Sequence, residues 1–100
     1  IEVNIAGEGN KAGCSPEEVE QLAVNVSKLT NLQLKGLMTM GPAFANLESI
    51  RHYFKEMKNV FEKLQKEYNV SVLSMGMSDN YHIAIEEGAT MVRIGRKLFT

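Results

Sequence analysis

The sequence has one cysteine, almost no net charge and no long apolar run, and each of these shortages excludes a class of protein. Cys14 has no partner for an internal disulfide, and nothing in the sequence resembles a cluster of zinc ligands. This is typical of a reducing compartment, so we expect a cytoplasmic protein. Eleven basic residues face twelve acidic ones, for a net charge of -1, so no long-range field favours nucleic acid or an anionic membrane. No signal peptide or membrane-spanning helix is visible.

What remains is the composition of one small globular domain. The 100 residues are 44% hydrophobic and 23% charged, which is enough for one core and too little for two. The sequence begins without methionine in an apolar run and stops where another apolar pattern is still continuing. We therefore expect the chain to be a piece of a larger fold.

Short runs of β-branched and aliphatic residues alternate with helical patterns along the chain. This alternation is typical of βαβ units, and it predicts an α/β fold with four parallel strands in sequential order. The helices should lie on one face of the sheet, with right-handed crossovers. The predicted strands are residues 2–5, 34–40, 70–74 and 91–94.

Two of the predicted helices have clear start signals or a clear apolar face. Ser15 can cap a helix, Pro16 suits its first turn and Glu18 stands at its third position, so a helix should begin at Pro16. Apolar residues then recur every three or four positions from Leu47 to Tyr68, which predicts a long helix packed on the sheet. A coiled coil is the alternative for this second pattern.

Two loops that follow predicted strands carry the residues best suited to hold an anion. Residues 74–79, Ser-Met-Gly-Met-Ser-Asp, precede a short helix that Ser78 or Asp79 would cap and Gly88 would end. Residues 93–96 read Arg-Ile-Gly-Arg. Ligands of parallel α/β folds bind at the carboxyl ends of strands, and glycines and helix starts favour phosphate there. On spacing alone, simple helix caps and turn residues are the favoured explanation of these residues.

These segments resemble the pyridoxal phosphate homeostasis proteins of the YggS/PROSC type. The resemblance rests on residues 73–79, Leu-Ser-Met-Gly-Met-Ser-Asp, and residues 84–95, Ala-Ile-Glu-Glu-Gly-Ala-Thr-Met-Val-Arg-Ile-Gly. Weaker similarity at residues 3–8, 11–13, 15–18 and 34–40 extends it over essentially the whole chain. The family resembles the barrel domain of alanine racemases. The resemblance implies that residues 1–100 are the C-terminal half of a (β/α)8 TIM barrel, contributing its last four strands.

The resemblance also implies a site for pyridoxal 5'-phosphate. The cofactor would form a Schiff base with a lysine outside this chain. Ser78, with the backbone of Met77 and Ser78, would hold the phosphate together with Gly95 and its neighbour. Arg93 would lie beside the pyridine nitrogen and keep it unprotonated. Arg96 stands where the family usually has threonine; its backbone N–H would still reach the phosphate, and its guanidinium could add a charge-assisted bond or point into solvent.

The implied function is that of a non-catalytic carrier that buffers or delivers the cofactor. A racemase-like enzyme on the same barrel is the alternative, although it would need a second base that these residues do not supply. An engineered or proteolytic fragment without activity is a third possibility.

The expected partners are a small-molecule cofactor and another polypeptide. A half barrel would expose its two edges and an apolar inner face, formed by Val3, Ile5, Leu37, Val72 and Val92 or by their alternating neighbours. We therefore expect the N-terminal half of the barrel, or a second copy of this chain, to cover it.

Overall fold

The computed structural model describes residues 1–9, 12–42 and 46–99, apart from the side chain of Lys97. Lys11, which belongs to one of the segments that carry the resemblance, lies outside the described residues. Over these residues the fold is α/β, with three helices and two strands: α1 (Val19–Ser27), β1 (Gly36–Met38), α2 (Leu47–Gln65), β2 (Val72–Ser74) and α3 (Tyr81–Glu86). Short 3-10 helices cover Pro16–Glu18 and Arg96–Phe99. In these ranges no helix is both long and apolar enough to cross a membrane.

The sheet is parallel, but it is smaller than predicted. β1 and β2 pair with Leu37 opposite Leu73. The predicted outer strands, residues 2–5 and 91–94, are not regular strands; they join the sheet through single parallel bridges from Glu2 to Met38 and from Ser74 to Met91. The described residues thus form two strands where four were predicted, because each outer segment meets its neighbour over too few residues to build a ladder.

Gly36 allows β1 and β2 to pair so closely. A Cβ atom at this position would overlap the carbonyl oxygen of Val72, the residue that pairs with Gly36 across the two strands. Only glycine lacks that atom, so the register of the sheet depends on this residue.

The first helical segment begins where the sequence predicts. Glu18 Oε1 accepts hydrogen bonds of 2.9 Å from both the backbone N–H and the hydroxyl of Ser15. These bonds, the backbone one first, lower the pKa of the Glu18 carboxyl. The first turn, Pro16–Glu18, is a 3-10 turn that leads into α1. The Glu18 backbone N–H in turn donates to the Ser15 carbonyl at 3.0 Å, so Ser15 and Glu18 close the helix start at the predicted place.

α2 presents the apolar stripe that its periodicity predicts. Asn46 caps the helix by accepting a 2.9 Å bond from the backbone N–H of Ser49. The helix ends at Gln65, one turn before the predicted limit at Tyr68, which is partly buried against the core. Its buried residues are Ile50, Phe54, Met57, Phe61 and Leu64. Leu47, the first residue of the predicted stripe, is exposed instead.

The core lies on one face of the sheet, and alternation along the strands decides which residues enter it. Val3, Ile5 and Leu37 are buried in this core, together with Leu73. They therefore do not form the exposed inner face. A groove of about 500 Å³ runs along β1 and β2, and Val72 of the predicted set lines it together with neighbours of the buried residues. We call it the sheet-face groove; its lining includes Ile1, Leu32, Leu34, Gly36, Met38, Val72 and Ser74.

α3 begins later than predicted. It starts at Tyr81, and its N-cap position is Asn80 rather than Ser78 or Asp79, because residues 77–80 form a separate turn. Gly88 follows its end with a positive φ of 103°, as the sequence predicts. An arginine fork ties α3 to α2: Arg51 donates bonds of 2.6 Å to Glu87 and 2.8 Å to Glu86.

Candidate functional site

A cleft of about 340 Å³ lies between the loop after β2 and the segment that follows residues 91–94. We call it the Arg93 cleft; it is lined by Met77, Ser78, Asp79, Arg93, Gly95 and Arg96. The structure therefore brings all five residues of the predicted site to one place, although they lie up to 19 positions apart in sequence. Asp79, considered only as a helix cap in the sequence, joins them.

The floor of the cleft is shaped by the turn at residues 77–80. The backbone N–H of Met77 donates to Asn80 Oδ1 at 2.8 Å, and the N–H of Asn80 donates to the Met77 carbonyl at 3.1 Å. The Met77 amide is thus already engaged within the protein. Sequence reasoning missed Asn80, although an asparagine three residues downstream is a known way to close such a turn.

Gly76 brings this turn close to α3. Its φ is +102°, a conformation that glycine adopts readily, and an added Cβ would lie 2.6 Å from the Cβ of Ala84. Gly95 differs, because no atom lies within 4 Å of the place where its Cβ would be. Among the described residues, the Cα side of Gly95 is therefore open to an approaching ligand, while its carbonyl accepts a 3.1 Å bond from the Leu98 N–H.

Arg93 is the most constrained side chain in the cleft. Its backbone N–H donates to the Gly76 carbonyl at 2.9 Å, and its Nη2 donates to the Thr39 carbonyl at 3.1 Å. Its Nε is buried and has no hydrogen-bond partner among the described residues. Buried donors are nearly always paired in folded proteins, so this N–H calls for an acceptor that the described residues do not provide.

Thr39 holds Arg93 through its backbone carbonyl, and the sequence analysis did not predict this role. Its side chain is buried, and its hydroxyl donates to the Val3 carbonyl at 2.7 Å. Its own backbone N–H donates to the Ser74 carbonyl at 3.0 Å. The Thr39 carbonyl, which accepts the hydrogen bond from Arg93, is therefore held in place by Val3 on one side and by β2 on the other.

Arg96 and Asp79 form an ion pair that joins the two loops of the cleft. Both side chains are largely exposed, at 67% and 77%. The prediction left open whether Arg96 points away into solvent; in the structure it turns toward Asp79. The charged side chains of the cleft are thus two arginines and one carboxylate, a balance that favours an anion.

The single thiol takes no part in this cleft. Burial raises the pKa of Cys14, and the carboxylate of Glu18 raises it further. Both effects disfavour the thiolate, the form that reacts or binds metal. Within residues 1–9, 12–42 and 46–99 no group of three metal-ligating side chains comes together.

Fold and cleft define an α/β domain with a cleft lined by two arginines at the carboxyl ends of parallel segments, and comparison with known proteins makes the class specific. The family model of the alanine racemase N-terminal domain matches residues 1–100, so the chain belongs to that family. It is 48% identical over 101 residues to the pyridoxal phosphate homeostasis protein of Aquifex aeolicus and 41% identical over 99 residues to that of Pseudomonas aeruginosa. These alignments cover 99% of this chain but only 44% and 42% of the two relatives.

Solved structures give the same result. PipY of Synechococcus elongatus, solved without PLP, matches all of this chain and 48% of its own length, with a TM-score of 0.91 and 30% identity. PipY with PLP bound matches 91% of this chain and 44% of its own, with a TM-score of 0.81. The chain thus spans less than half the length of these relatives.

The position of the chain within a larger protein is a different matter. The matched family model describes an N-terminal domain. The comparisons therefore do not support our expectation that the chain is a C-terminal half.

Proposed function

We propose that the protein containing this chain binds pyridoxal 5'-phosphate (PLP) and acts in PLP homeostasis as a non-catalytic carrier. The names of the relatives support this proposal, as does the PLP bound in one PipY structure. The observation that carries it for this chain is Arg93, which lines the cleft and whose buried Nε has no hydrogen-bond partner among the described residues.

Arg93 fits the pyridine nitrogen of the cofactor. A guanidinium can donate hydrogen bonds but not accept them, whereas an unprotonated pyridine nitrogen can only accept. Arg93 would therefore pair with the neutral ring and hold it neutral, because a protonated nitrogen would place two donors against each other. A neutral ring withdraws electrons weakly, which suits carriage better than bond-breaking chemistry.

The other cleft residues suit the phosphate group. We assign it to Ser78, to the open backbone of Gly95 and to Arg96, since backbone N–H groups and an arginine together favour a phosphate anion. Met77 joins this set only when Asn80 releases its N–H. The lysine that would hold the cofactor covalently belongs to a part of the protein outside this chain.

The cleft also argues against the racemase-like alternative. Racemisation needs a second base on the other face of the cofactor. Asp79 is the one carboxylate among the lining residues, and it is paired with Arg96. We therefore favour the carrier over an enzyme.

We further propose that residues 1–100 form about half of a (β/α)8 barrel and that the intact protein is cytoplasmic. Three observations support the barrel: the 42–48% coverage of the relatives, the parallel segments in sequential order and the uncovered sheet-face groove. The rest of the polypeptide, or a second copy of this chain, would supply the missing strands.

Replacing Arg93 tests the proposal. We expect the intact protein to bind PLP, and Arg93→Leu to weaken that binding about 10- to 100-fold, because a charged donor to the ring is lost. Equilibrium dialysis, with absorbance of the bound cofactor, measures both. Lys55→Gln, on the exposed face of α2, serves as the control for a lost positive charge. Failure of the wild-type protein to bind PLP, or equal affinity in Arg93→Leu, would contradict the proposal.

A further inference from the structure

The ion pair between Arg96 and Asp79 lies at the mouth of the Arg93 cleft. Asp79 belongs to the turn after β2, and Arg96 opens the last 3-10 helix, immediately after Gly95. Both residues line the cleft, and their contact connects its two loops. The guanidinium therefore lies in the same cleft as Ser78 and Gly95, to which the phosphate is assigned.

This pair is poorly protected from exchange with another anion. Both side chains are mostly exposed, so water and salt screen their attraction. A phosphate group carries more negative charge than one carboxylate, and two of its oxygens can accept bidentate hydrogen bonds from a guanidinium. Arg96 is thus able to leave Asp79 for a phosphate that enters the cleft.

The carboxylate of Asp79 then opposes the incoming group in two ways. It competes for Arg96 before binding, and it stands as an uncompensated negative charge beside the phosphate after binding. Both effects weaken phosphate binding and favour release, whereas neither acts on a ligand that lacks the phosphate.

We propose that Asp79 competes with the phosphate for Arg96, and that this competition keeps the bound cofactor exchangeable. The proposal rests on the function proposed above and deepens it. A carrier must release what it binds, and a carboxylate that reclaims the arginine favours release without altering the ring contact at Arg93.

The test compares PLP with pyridoxal, which has the same ring and no phosphate. In the intact protein we expect Asp79→Asn to tighten PLP binding by roughly two- to fivefold, the range of an exposed charge pair, and to slow PLP release. Arg96→Gln should weaken PLP binding about tenfold. Pyridoxal binding should stay unchanged in both variants, and the effect of Asp79→Asn should shrink in high salt.

Glu20→Gln is the matched control, because it removes one exposed negative charge on α1, outside the cleft. Circular dichroism checks that each variant folds, and the high exposure of Arg96 makes its replacement safe for the fold. If the wild type binds neither ligand, the proposed function and this inference both fail. If the wild type binds PLP but Asp79→Asn does not tighten it, or if PLP and pyridoxal shift equally, only this inference is overturned.

Discussion

The buried hydroxyl of Thr39 fixes a residue that holds Arg93, although Thr39 itself does not line the cleft. Its side chain bonds to Val3, 36 positions earlier, and its carbonyl receives the guanidinium of Arg93, 54 positions later. Sequence alternation assigns Thr39 to the same face as Leu37 but cannot name either partner, because both contacts depend on the assembled sheet. Arg93 was recognisable from its family motif, whereas its support was not.

Removing the Thr39 hydroxyl should destabilise the protein around Val3 and Arg93. We expect Thr39→Val to lower the free energy of unfolding by about 1–3 kcal/mol, because the buried Val3 carbonyl loses its donor without a loss of side-chain volume. Denaturant unfolding of the intact protein measures the change. Thr39→Ser keeps the hydroxyl and serves as the control. Equal stability of Thr39→Val and wild type would show that the Val3 carbonyl finds another donor.

At the scale of the elements, helices were easier to predict than strands. The start at Pro16 and the stripe of α2 follow from local signals, a helix cap and a 3.6-residue period. β1 keeps only three of the seven residues predicted for it, because strand length depends on partners that sequence does not reveal. The predicted start of α3 was wrong because Ser78, Asp79 and Asn80 are all good cap residues. In the structure the Asn80 side chain closes the turn by accepting from the Met77 N–H, and the helix begins after it.

The pairing of β1 with β2 gives a prediction at this scale. We expect Gly36→Ala to destabilise the protein by about 1–3 kcal/mol, the usual cost of overpacking, because the new methyl group would overlap the Val72 carbonyl. Thermal unfolding measures it. Gly95→Ala is the matched control, since its Cβ would enter open space. Equal melting temperatures for the two variants would show that β1 and β2 can move apart to admit the methyl group without loss of stability.

At the scale of the whole molecule, the chain leaves large apolar surfaces uncovered. The sheet-face groove has no layer over it in the described residues. Met91 is 51% exposed, and Leu98 and Phe99 are 73% and 86% exposed. Exposure on this scale is typical of a surface that another polypeptide covers.

We therefore expect the 100-residue chain by itself to associate. Burying each large apolar side chain contributes about 1.5–3 kcal/mol, which over a few residues rivals the roughly 5–15 kcal/mol stability of a domain. Sedimentation equilibrium at micromolar concentration should give a mass above that of one chain. A monomer with cooperative unfolding would contradict this expectation.

The two bonds of Arg93 tie the last segment to the rest of the molecule. Its backbone bonds to Gly76 beyond β2, and its guanidinium bonds to Thr39 beyond β1, so one residue anchors the segment at two places. An acceptor at its unpartnered Nε would restrain the same side chain further. Under the proposed function, ligand binding at Arg93 and attachment of residues 91–96 to the sheet would be thermodynamically linked, so the ligand would also tighten the assembly of the chain.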